Sequence, residues 1–341
     1  LSRMYTSGSR DRFERTEIMN ILITGITGMV GSHLAEYILA NHPGVEVHGL
    51  IRWRSPLDNI RAIKSRVTLH WGELRDLNSL MGLMRKVRPE RIFHLAAQSF
   101  VTTSFEAPAD TLETNIIGTV NLLDAVRLTG LDPMIHICSS SEVYGQVTKD
   151  EVPIRETNHF RPASPYAVSK VGEDMIALQY HLSYGMKTIR TRMFTHTGPR
   201  RGDIFAESSF AKQIAEIEAG IRSNPVRVGN LESVRTFADV RDAVRAYWLL
   251  LEKCPAGEVY NIGGNRTMLV GEMLEMIKGM ARCKITHVVD PALRRLSDVT
   301  LQIPDTSKFK AATGWQPEIP LETTLGDLLE YHRQRIKMEQ R

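Results

Sequence analysis

The stretch Thr24-Gly25-Ile26-Thr27-Gly28-Met29-Val30-Gly31 decides the fold. It follows an apolar run that begins near Met19, and it opens a segment with apolar residues at Val30, Leu34 and Ile38, one face of a helix. Glycines at this spacing allow a tight turn between strand and helix, in which bare backbone approaches a pyrophosphate and the helix N-terminus supplies N–H donors. A glycine triplet alone also suits a purely structural turn. Its place between a strand and a helix predicts a dinucleotide-binding loop.

Outward from this loop, short runs rich in Ile and Val alternate with longer stretches of helical period. This alternation predicts βαβ units and a Rossmann-type, doubly wound parallel sheet of the α/β class. The expected strands are 20–24, 46–51, 67–71, 91–96, 134–139 and 188–194, and the expected helices are 30–40, 77–86, 109–128 and 164–184.

The alternation loosens after about Gly198, which predicts a smaller C-terminal α/β substrate-binding domain. Its expected elements are helices 208–219, 239–251 and 269–280, a strand 258–262 and a last helix from Leu321. Residues 1–17 are polar, basic and aperiodic, so we expect a tail outside the fold. The expected division is therefore 1–17 tail, 18–198 NAD(P)-binding Rossmann domain and 199–341 mainly substrate-binding domain.

Composition excludes several classes of protein. Hydrophobic residues at 42% and charged residues at 24% exclude a mainly disordered chain. A net charge of +4 over 341 residues is too small for a nucleic-acid binder, and no apolar run reaches the roughly 20 residues of a membrane span. Cys138, Cys254 and Cys283 lie far apart, which favours neither disulfides nor zinc and predicts a reducing, cytoplasmic location. The eleven histidines show no metal-binding spacing.

The expected second strand ends in Arg52-Trp53-Arg54-Ser55, where an NAD-binding protein would usually have Asp or Glu. Arg52 and Arg54 suit a 2′-phosphate, because a guanidinium offers a planar fork of donors to phosphate oxygens. We therefore expect NADP as the cofactor, with NAD as the alternative. The other interpretation is that both arginines form a solvated rim.

Two further segments predict acid–base chemistry. Ser139-Ser140-Ser141-Glu142 ends the expected fifth strand, and Tyr166-Ala167-Val168-Ser169-Lys170 begins the expected helix 164–184. Residues i and i+4 share a helix face, so Lys170 lies beside Tyr166. An ammonium and an oxidised nicotinamide both favour phenolate, which makes Tyr166 an acid/base for a substrate hydroxyl. Ser140 can hydrogen-bond to the same oxygen. A Tyr-x-x-x-Lys motif alone also occurs on solvated helix faces. Here it follows a dinucleotide-binding loop and a serine cluster along the chain, and this order makes it a specific indication of catalysis.

These residues resemble the extended short-chain dehydrogenase/reductase family, in its nucleotide-sugar branch, from about Met19 to Leu329. Within the family the chain is most similar to the GDP-mannose 4,6-dehydratases. The similar segments are 95–101, 104–106, 164–168, 199–202, 229–232 with Arg235, and 295–298. Segments 210–214 and 228–235 are also similar to the GDP-4-keto-6-deoxymannose reductases.

The resemblance implies a GDP-sugar substrate, a homodimer or homotetramer, and dehydration in which Ser140, Glu142, Tyr166 and Lys170 are catalytic. It places Glu142 as the base that removes the sugar C5 proton. The implied cofactor-binding residues are Gly25, Thr27, Gly28, Met29, Val30, Gly31, Arg52, Arg54, Glu73, Leu74, Leu95, Ala96, Ala97, Ser99, Tyr166, Lys170 and His196. The implied substrate-binding residues are Ser99, Ser141, Glu142, Thr195, Val228, Arg235, Arg295 and Asp298. Of these, Arg235 and Arg295 would hold the diphosphate and ribose, with Asp298 near the ribose.

The chain departs from the dehydratase pattern at several positions. Met29-Val30 stands where Gln-Asp is common, Ser140 replaces a threonine, Thr195 replaces an asparagine, and Ser209 replaces a substrate-binding lysine. Four alternatives stay open: the 4-keto reductase, a 4-epimerase, a dehydratase for another nucleotide sugar such as a GDP-heptose, and a non-catalytic nucleotide-sugar binder. Glu142 could also be a carboxylate that caps a loop.

Overall fold

A computed structural model describes residues 18–293 and 299–340 of the chain. The strands are β1 (Met19–Thr24), β2 (Val45–Ile51), β3 (Thr68–Trp71), β4 (Arg91–His94), β5 (Met134–Ser140), β6 (Thr188–Met193), β7 (His196–Thr197), β8 (Val226–Val228), β9 (Val234–Asp239), β10 (Val259–Ile262), β11 (Arg266–Leu269), β12 (His287–Val289) and β13 (Leu301–Gln302). The α-helices are α1 (Met29–Asn41), α2 (Leu77–Val87), α3 (Val101–Glu106), α4 (Pro108–Leu112), α5 (Gly118–Leu128), α6 (Pro165–Tyr184), α7 (Ala206–Glu218), α8 (Val240–Lys253), α9 (Val270–Gly279), α10 (Ser307–Thr313) and α11 (Leu321–Glu339). Short 3₁₀ helices cover Asp58–Arg66, Ser141–Tyr144, Lys149–Glu151 and Pro291–Leu293.

The main sheet has seven parallel strands in the order β10-β6-β5-β4-β1-β2-β3. The chain moves from β1 to β3 in one direction and then crosses back to β4, so the strand order reverses between β1 and β4. Ligands of doubly wound folds bind in the crevice at this point, beyond the carboxyl ends of the strands. The predicted doubly wound parallel fold is confirmed, with all six expected strands present.

Helices cover both faces of the sheet because β1 is apolar on both sides. Ile21 and Ile23 pack with α1 and α8, while Leu22 between them packs with α2, α5 and α6 on the other face. Successive side chains of a strand point to opposite faces, so three consecutive apolar residues require two covered faces.

The C-terminal half of the chain returns to the main sheet. Strand β10 adds to the edge of β6, with Tyr260 opposite Thr191, and α8 packs beside α1. The sequence prediction gave 258–262 and 239–251 to the substrate-binding half. Strand β10 extends the main sheet instead, because the backbone N–H and C=O groups on the outer edge of β6 need hydrogen-bond partners. Helix α8 packs beside α1 on one face of that sheet. The domain boundary at 198 itself stays a prediction.

A second layer of structure lies around α7, α9 and α11, whose apolar residues share one core with β8 and β9. Strand β9 pairs with β11, β13 and β7, and β8 pairs with β12. Sequence periodicity predicted none of these six strands, and all of them except β9 are only two to four residues long. Among the described residues, no helix is both long and apolar enough to cross a membrane.

The predicted helix 109–128 is interrupted. A π-helical turn at Glu113–Ile117 separates α4 from α5. The buried side chain of Asn115 lies in this turn, where it donates to Ser169 Oγ at 2.8 Å and exchanges hydrogen bonds with the backbone of Gln98. The irregular turn thus ties the loop after β4 to α6.

Helix α6 is fixed to the sheet by a buried ion triad. Asp174 on α6 accepts hydrogen bonds from Arg190 at 3.0 Å and from Arg192 at 2.8 Å, both on β6. All three side chains are almost fully buried. Ser164 caps the helix by accepting from the Ala167 N–H, so the first turn, with its predicted catalytic tyrosine, has a defined start.

Candidate active site

A cavity of about 1030 Å³ opens at the carboxyl ends of the strands, between the main sheet and the second layer. Most of the predicted site residues line it. These are Gly25, Thr27, Gly28, Met29, Val30, Gly31, Arg52, Glu73, Leu74, Leu95, Ala96, Ala97, Ser99, Ser140, Ser141, Glu142, Tyr166, Lys170, Thr195, His196, Val228 and Arg235. Arg54 lies outside this lining, and Arg295 and Asp298 lie outside the described residues.

The glycine-rich turn brings α1 close to β1. A Cβ atom on Gly31 would lie 2.2 Å from the Gly25 carbonyl oxygen, a contact that backbone cannot relieve. Gly25 has φ 76°, and a Cβ there would lie 2.8 Å from the Ala96 nitrogen. Both positions therefore require glycine.

The N-terminus of α1 has the features of an anion-binding site. Gly28 caps the helix without a side chain, and the first turn holds no acidic residue. The N–H groups of that turn and the positive end of the helix dipole therefore face the cavity, as a pyrophosphate requires. This cradle of bare backbone fits the predicted dinucleotide.

The two predicted 2′-phosphate arginines have different surroundings. Arg52 lines the cavity with Ser55, whose hydroxyl accepts a hydrogen bond from the Arg52 N–H at 3.0 Å. Arg54 lies over the exposed ring of Trp53, 4.5 Å from its centroid. The sequence prediction treats the two arginines as equivalent, whereas in the structure Arg52 lines the cavity and Arg54 stacks on Trp53 outside the lining.

Tyr166 and Ser140 meet at the wall of this cavity. Burial raises the pKa of the Tyr166 phenol, while the Lys170 ammonium and a hydrogen bond with Ser140 oppose the rise. Lys170 and Ser140 thus act in the direction that the sequence predicts. In the protein without bound cofactor, the pKa of Tyr166 is raised overall, because the effect of burial is larger than the opposing effect of the Lys170 ammonium.

Lys170 is a buried ammonium with two partners. Its Nζ donates to the Cys138 carbonyl oxygen and to Glu173 Oε2, both at 2.9 Å, and lies 5.9 Å from the centre of the Tyr166 ring. Burial lowers the pKa of Lys170, but interaction with Glu173 and Tyr166 outweighs it, so the net pKa is raised. Burial raises the pKa of Glu173 to about 7 against the opposing charge of Lys170. Sequence reasoning missed Glu173, although its i+3 position from Lys170 on one helix was a usable signal.

Glu142 enters the cavity beside Ser140. Its backbone N–H donates to Ser140 Oγ at 3.2 Å, and its Oε1 accepts from the side-chain amide of Gln302 at 3.3 Å. Gln302 lies on β13, far along the chain, and also accepts from Ser141 Oγ at 3.2 Å. Sequence reasoning missed Gln302, and no local signal pointed to it.

The far end of the cavity is formed by the second layer. Val228 ends β8 and Arg235 lies on β9, where its guanidinium bonds to the carbonyl oxygens of Val234 and Val299. His196 lies on β7, which pairs with β9. Burial lowers the pKa of His196 to about 4, and its Nδ1 lies 3.2 Å from the Phe194 carbonyl oxygen. His196 is therefore a neutral imidazole at neutral pH.

A phosphate turn at a strand-order reversal, joined in one cavity to a Tyr-x-x-x-Lys pair, defines a dinucleotide-dependent enzyme of the short-chain dehydrogenase/reductase class. The model of the family described as GDP-mannose 4,6 dehydratase matches residues 22–328. The chain belongs to this family.

Two curated relatives are named for different enzyme activities, one a reductase and the other a dehydratase. The GDP-6-deoxy-D-mannose reductase of Pseudomonas aeruginosa is 32% identical over 94% of this chain and 99% of its own length. The GDP-mannose 4,6-dehydratase of Yersinia enterocolitica is 33% identical over 93% of this chain and 94% of its own length. A solved structure, RMD from Pseudomonas aeruginosa complexed with NADPH, has a TM-score of 0.81 at 32% identity and covers 93% of this chain and 99% of that chain.

The glycine turn generates the first prediction. Gly31→Ala should push α1 away from β1 and abolish measurable binding of a nicotinamide dinucleotide in a fluorescence titration. Gly82→Ala is the matched control, because a Cβ at this exposed position of α2 meets nothing within 4 Å. That control should bind normally and gain up to about 1 kcal/mol of unfolding free energy from better helix propensity. Normal binding by Gly31→Ala would contradict the close approach of helix and strand.

Proposed function

We propose that the protein converts GDP-mannose into GDP-4-keto-6-deoxymannose and water, with the hydride recycled within one turnover. The observation that supports this best is the convergence of the Glu142 carboxylate, the Tyr166 phenol and the Ser140 hydroxyl on one cavity. A reductase needs an acid for a ketone oxygen, whereas a dehydratase also needs a base beside it for C5.

NADP is the cofactor that we propose. It would bind across the turn formed by Gly25, Gly28 and Gly31, with its 2′-phosphate near Arg52 and Ser55. When bound, it supplies the hydride acceptor and donor of the reaction. The Pseudomonas aeruginosa structure, RMD, is described as complexed with NADPH. NAD is the alternative if Arg52 serves only as a rim residue.

Tyr166 and Ser140 act on the C4 hydroxyl of the hexose. Ser140 hydrogen-bonds to the C4 oxygen, and Tyr166 accepts the hydroxyl proton as the C4–H bond breaks and C4 becomes a ketone. Lys170 favours the anionic phenol for this step, because its ammonium is held close to the ring.

Glu142 acts on C5 of the 4-keto sugar. The new ketone acidifies the C5–H bond, and Glu142 takes that proton as the C6 hydroxyl leaves. Tyr166 and Glu142 then hold one proton each. One proton leaves with the C6 hydroxyl as water and the other returns to C5, while hydride arrives at C6. The atoms balance without an external reductant.

The nucleotide would occupy the second layer, with its diphosphate at Arg235 and beside Val228. Arg295 and Asp298 remain predicted contacts of the same group. The main competing function is reduction of a 4-keto-6-deoxy GDP-sugar. The Pseudomonas aeruginosa reductase favours it, because that relative is matched over almost its whole length.

We also propose a homodimer formed through α6. Val168, Met175 and Leu182 are exposed at seven-residue spacing, so they form one apolar stripe along this helix. A second copy of the chain would cover the stripe by pairing α6 with its equivalent. A homotetramer is the larger alternative, and a cytoplasmic location stays a prediction.

The proposed activity predicts turnover of GDP-mannose without added reductant. Purified protein loaded with NADP should form the 4-keto-6-deoxy sugar, detected by mass loss of one water. Glu142→Gln should lower kcat about 10²- to 10⁴-fold, the range typical of a general base, while substrate still binds.

A reductase would give the opposite pattern. It would leave GDP-mannose unchanged and would oxidise NADPH only in the presence of the 4-keto-6-deoxy sugar. Full dehydration by Glu142→Gln would exclude Glu142 as the C5 base.

The cofactor assignment predicts that Arg52→Ala weakens NADP binding about tenfold to a hundredfold, as expected for a lost hydrogen bond to a charged group. Its affinity for NAD should change little. Arg54→Ala is the matched control and should affect both cofactors weakly, since Arg54 lies over Trp53. Isothermal titration with each cofactor measures this, and equal losses for NADP and NAD upon Arg52→Ala would refute the assignment.

The dimer proposal predicts that Leu182→Glu halves the particle mass in light scattering, because a carboxylate would be buried against the partner helix. Ile221→Glu changes another exposed apolar residue, in the segment after α7, and should leave the mass unchanged. An unchanged mass for Leu182→Glu would remove α6 from the interface.

A further inference from the structure

We propose that Gln302 is a positioning residue that aims the Glu142 carboxylate at its substrate. The inference rests on the proposed dehydration, in which Glu142 is the C5 base. Gln302 is only 2% exposed, yet it lines the active-site cavity from a two-residue strand that joins the site late in the chain.

The two ends of the Gln302 side chain have different partners. Its Nε2 donates to Glu142 Oε1 at 3.3 Å, and its Oε1 accepts from Ser141 Oγ at 3.2 Å. An ionised carboxylate only accepts hydrogen bonds, whereas a serine hydroxyl can donate or accept. The amide nitrogen must therefore face Glu142, and the hydrogen bond from Ser141 holds it in that orientation.

The backbone of Gln302 is itself anchored. Strand β13 pairs with β9, which sets Gln302 opposite Arg235, and Thr236 Oγ1 donates to the Gln302 carbonyl oxygen at 3.3 Å. Arg235 also bonds to the carbonyl oxygen of Val299, just before this strand. The residue that would meet the nucleotide diphosphate and the residue that holds the base thus share one small sheet.

A neutral amide suits this task. A Lys or Arg at this place would stabilise the negative charge of Glu142 and make it a weaker base, whereas an apolar residue would leave its orientation open. One hydrogen bond from an amide fixes one carboxylate oxygen and leaves the other for the C5 proton. Proton transfer needs this alignment, because a displacement of about 1 Å can cost on the order of a hundredfold in rate.

The chain supplies a matched control in Gln146. This exposed glutamine also connects the segment after β5 to the segment before β13, through hydrogen bonds with Thr300 at 2.8 and 3.0 Å. It does so outside the cavity lining. Gln302→Met and Gln146→Met each remove a bridge between the same two segments at nearly constant volume, but only the first removes a contact to Glu142.

The experiment compares native protein, Gln302→Met, Gln146→Met and Glu142→Gln, all as the NADP-loaded enzyme. Each is assayed with GDP-mannose and with GDP-mannose deuterated at C5. We expect Gln302→Met to lower kcat about tenfold to a hundredfold, the cost of a misaligned base. Its KM should stay within about twofold, because the lost interaction acts only in the chemical step. Its isotope effect on kcat should rise, since C5 proton removal becomes slower than the other steps.

The other outcomes overturn the inference. If Gln302→Met and Gln146→Met behave alike, Gln302 is only a structural bridge. If Gln302→Met raises KM and leaves kcat unchanged, Gln302 binds the substrate and does not position the base. Gln302→Asn gives a second measurement should the methionine variant misfold: it keeps a polar amide at this place but is one methylene too short to reach Glu142, so kcat should fall and the isotope effect should rise.

Failure of the proposed function is distinguishable from failure of this inference. If the native enzyme leaves GDP-mannose unchanged, or if Glu142→Gln dehydrates it normally, the proposed function fails and this inference fails with it. If the native enzyme is active, Glu142→Gln is inactive and Gln302→Met equals the native enzyme, only the role of Gln302 is refuted.

Discussion

The buried ammonium of Lys170 is the constraint on which the rest of the site depends. A charge in the protein interior is tolerated only with close partners, and here the Cys138 carbonyl and the Glu173 carboxylate provide them. The backbone carbonyl of Lys170 also accepts from Ser139 Oγ, so α6 and β5 are joined at this residue in both directions. The position of Tyr166, one turn earlier on the helix, follows from this attachment. The same attachment holds α6 against β5, the strand that ends at Ser140, and so brings Ser140 and Tyr166 together.

The parts of the molecule that the sequence predicted well are those with local causes. The turn from Gly25 to Gly31 depends on backbone geometry within eight residues, and the Tyr166–Lys170 pair depends on helical spacing alone. The six strands of the first half alternate with helices at distances that periodicity detects. The doubly wound sheet followed from these signals, and the residue types then suggested the chemistry.

The parts that could not be predicted depend on tertiary contacts. Gln302 reaches Glu142 across 160 positions, from a strand too short to show any period. The interruption of helix 109–128 is stabilised by contacts of Asn115 with Gln98 and Ser169, which no local pattern reveals. In each case the deciding partner is chosen by the packed fold, so the residue type alone leaves several outcomes open.

The late return of the chain to its first sheet also affects synthesis on the ribosome. The core that contains Ile21 is completed by Phe309 and Trp315, and the β6 edge stays open until β10 has been made. N-terminal domains generally fold first as they leave the ribosome. Here the N-terminal sheet cannot be completed until almost the whole polypeptide has been made. An open strand edge is a template for unwanted pairing. We therefore expect the nascent chain to need protection by chaperones until β10 has been made.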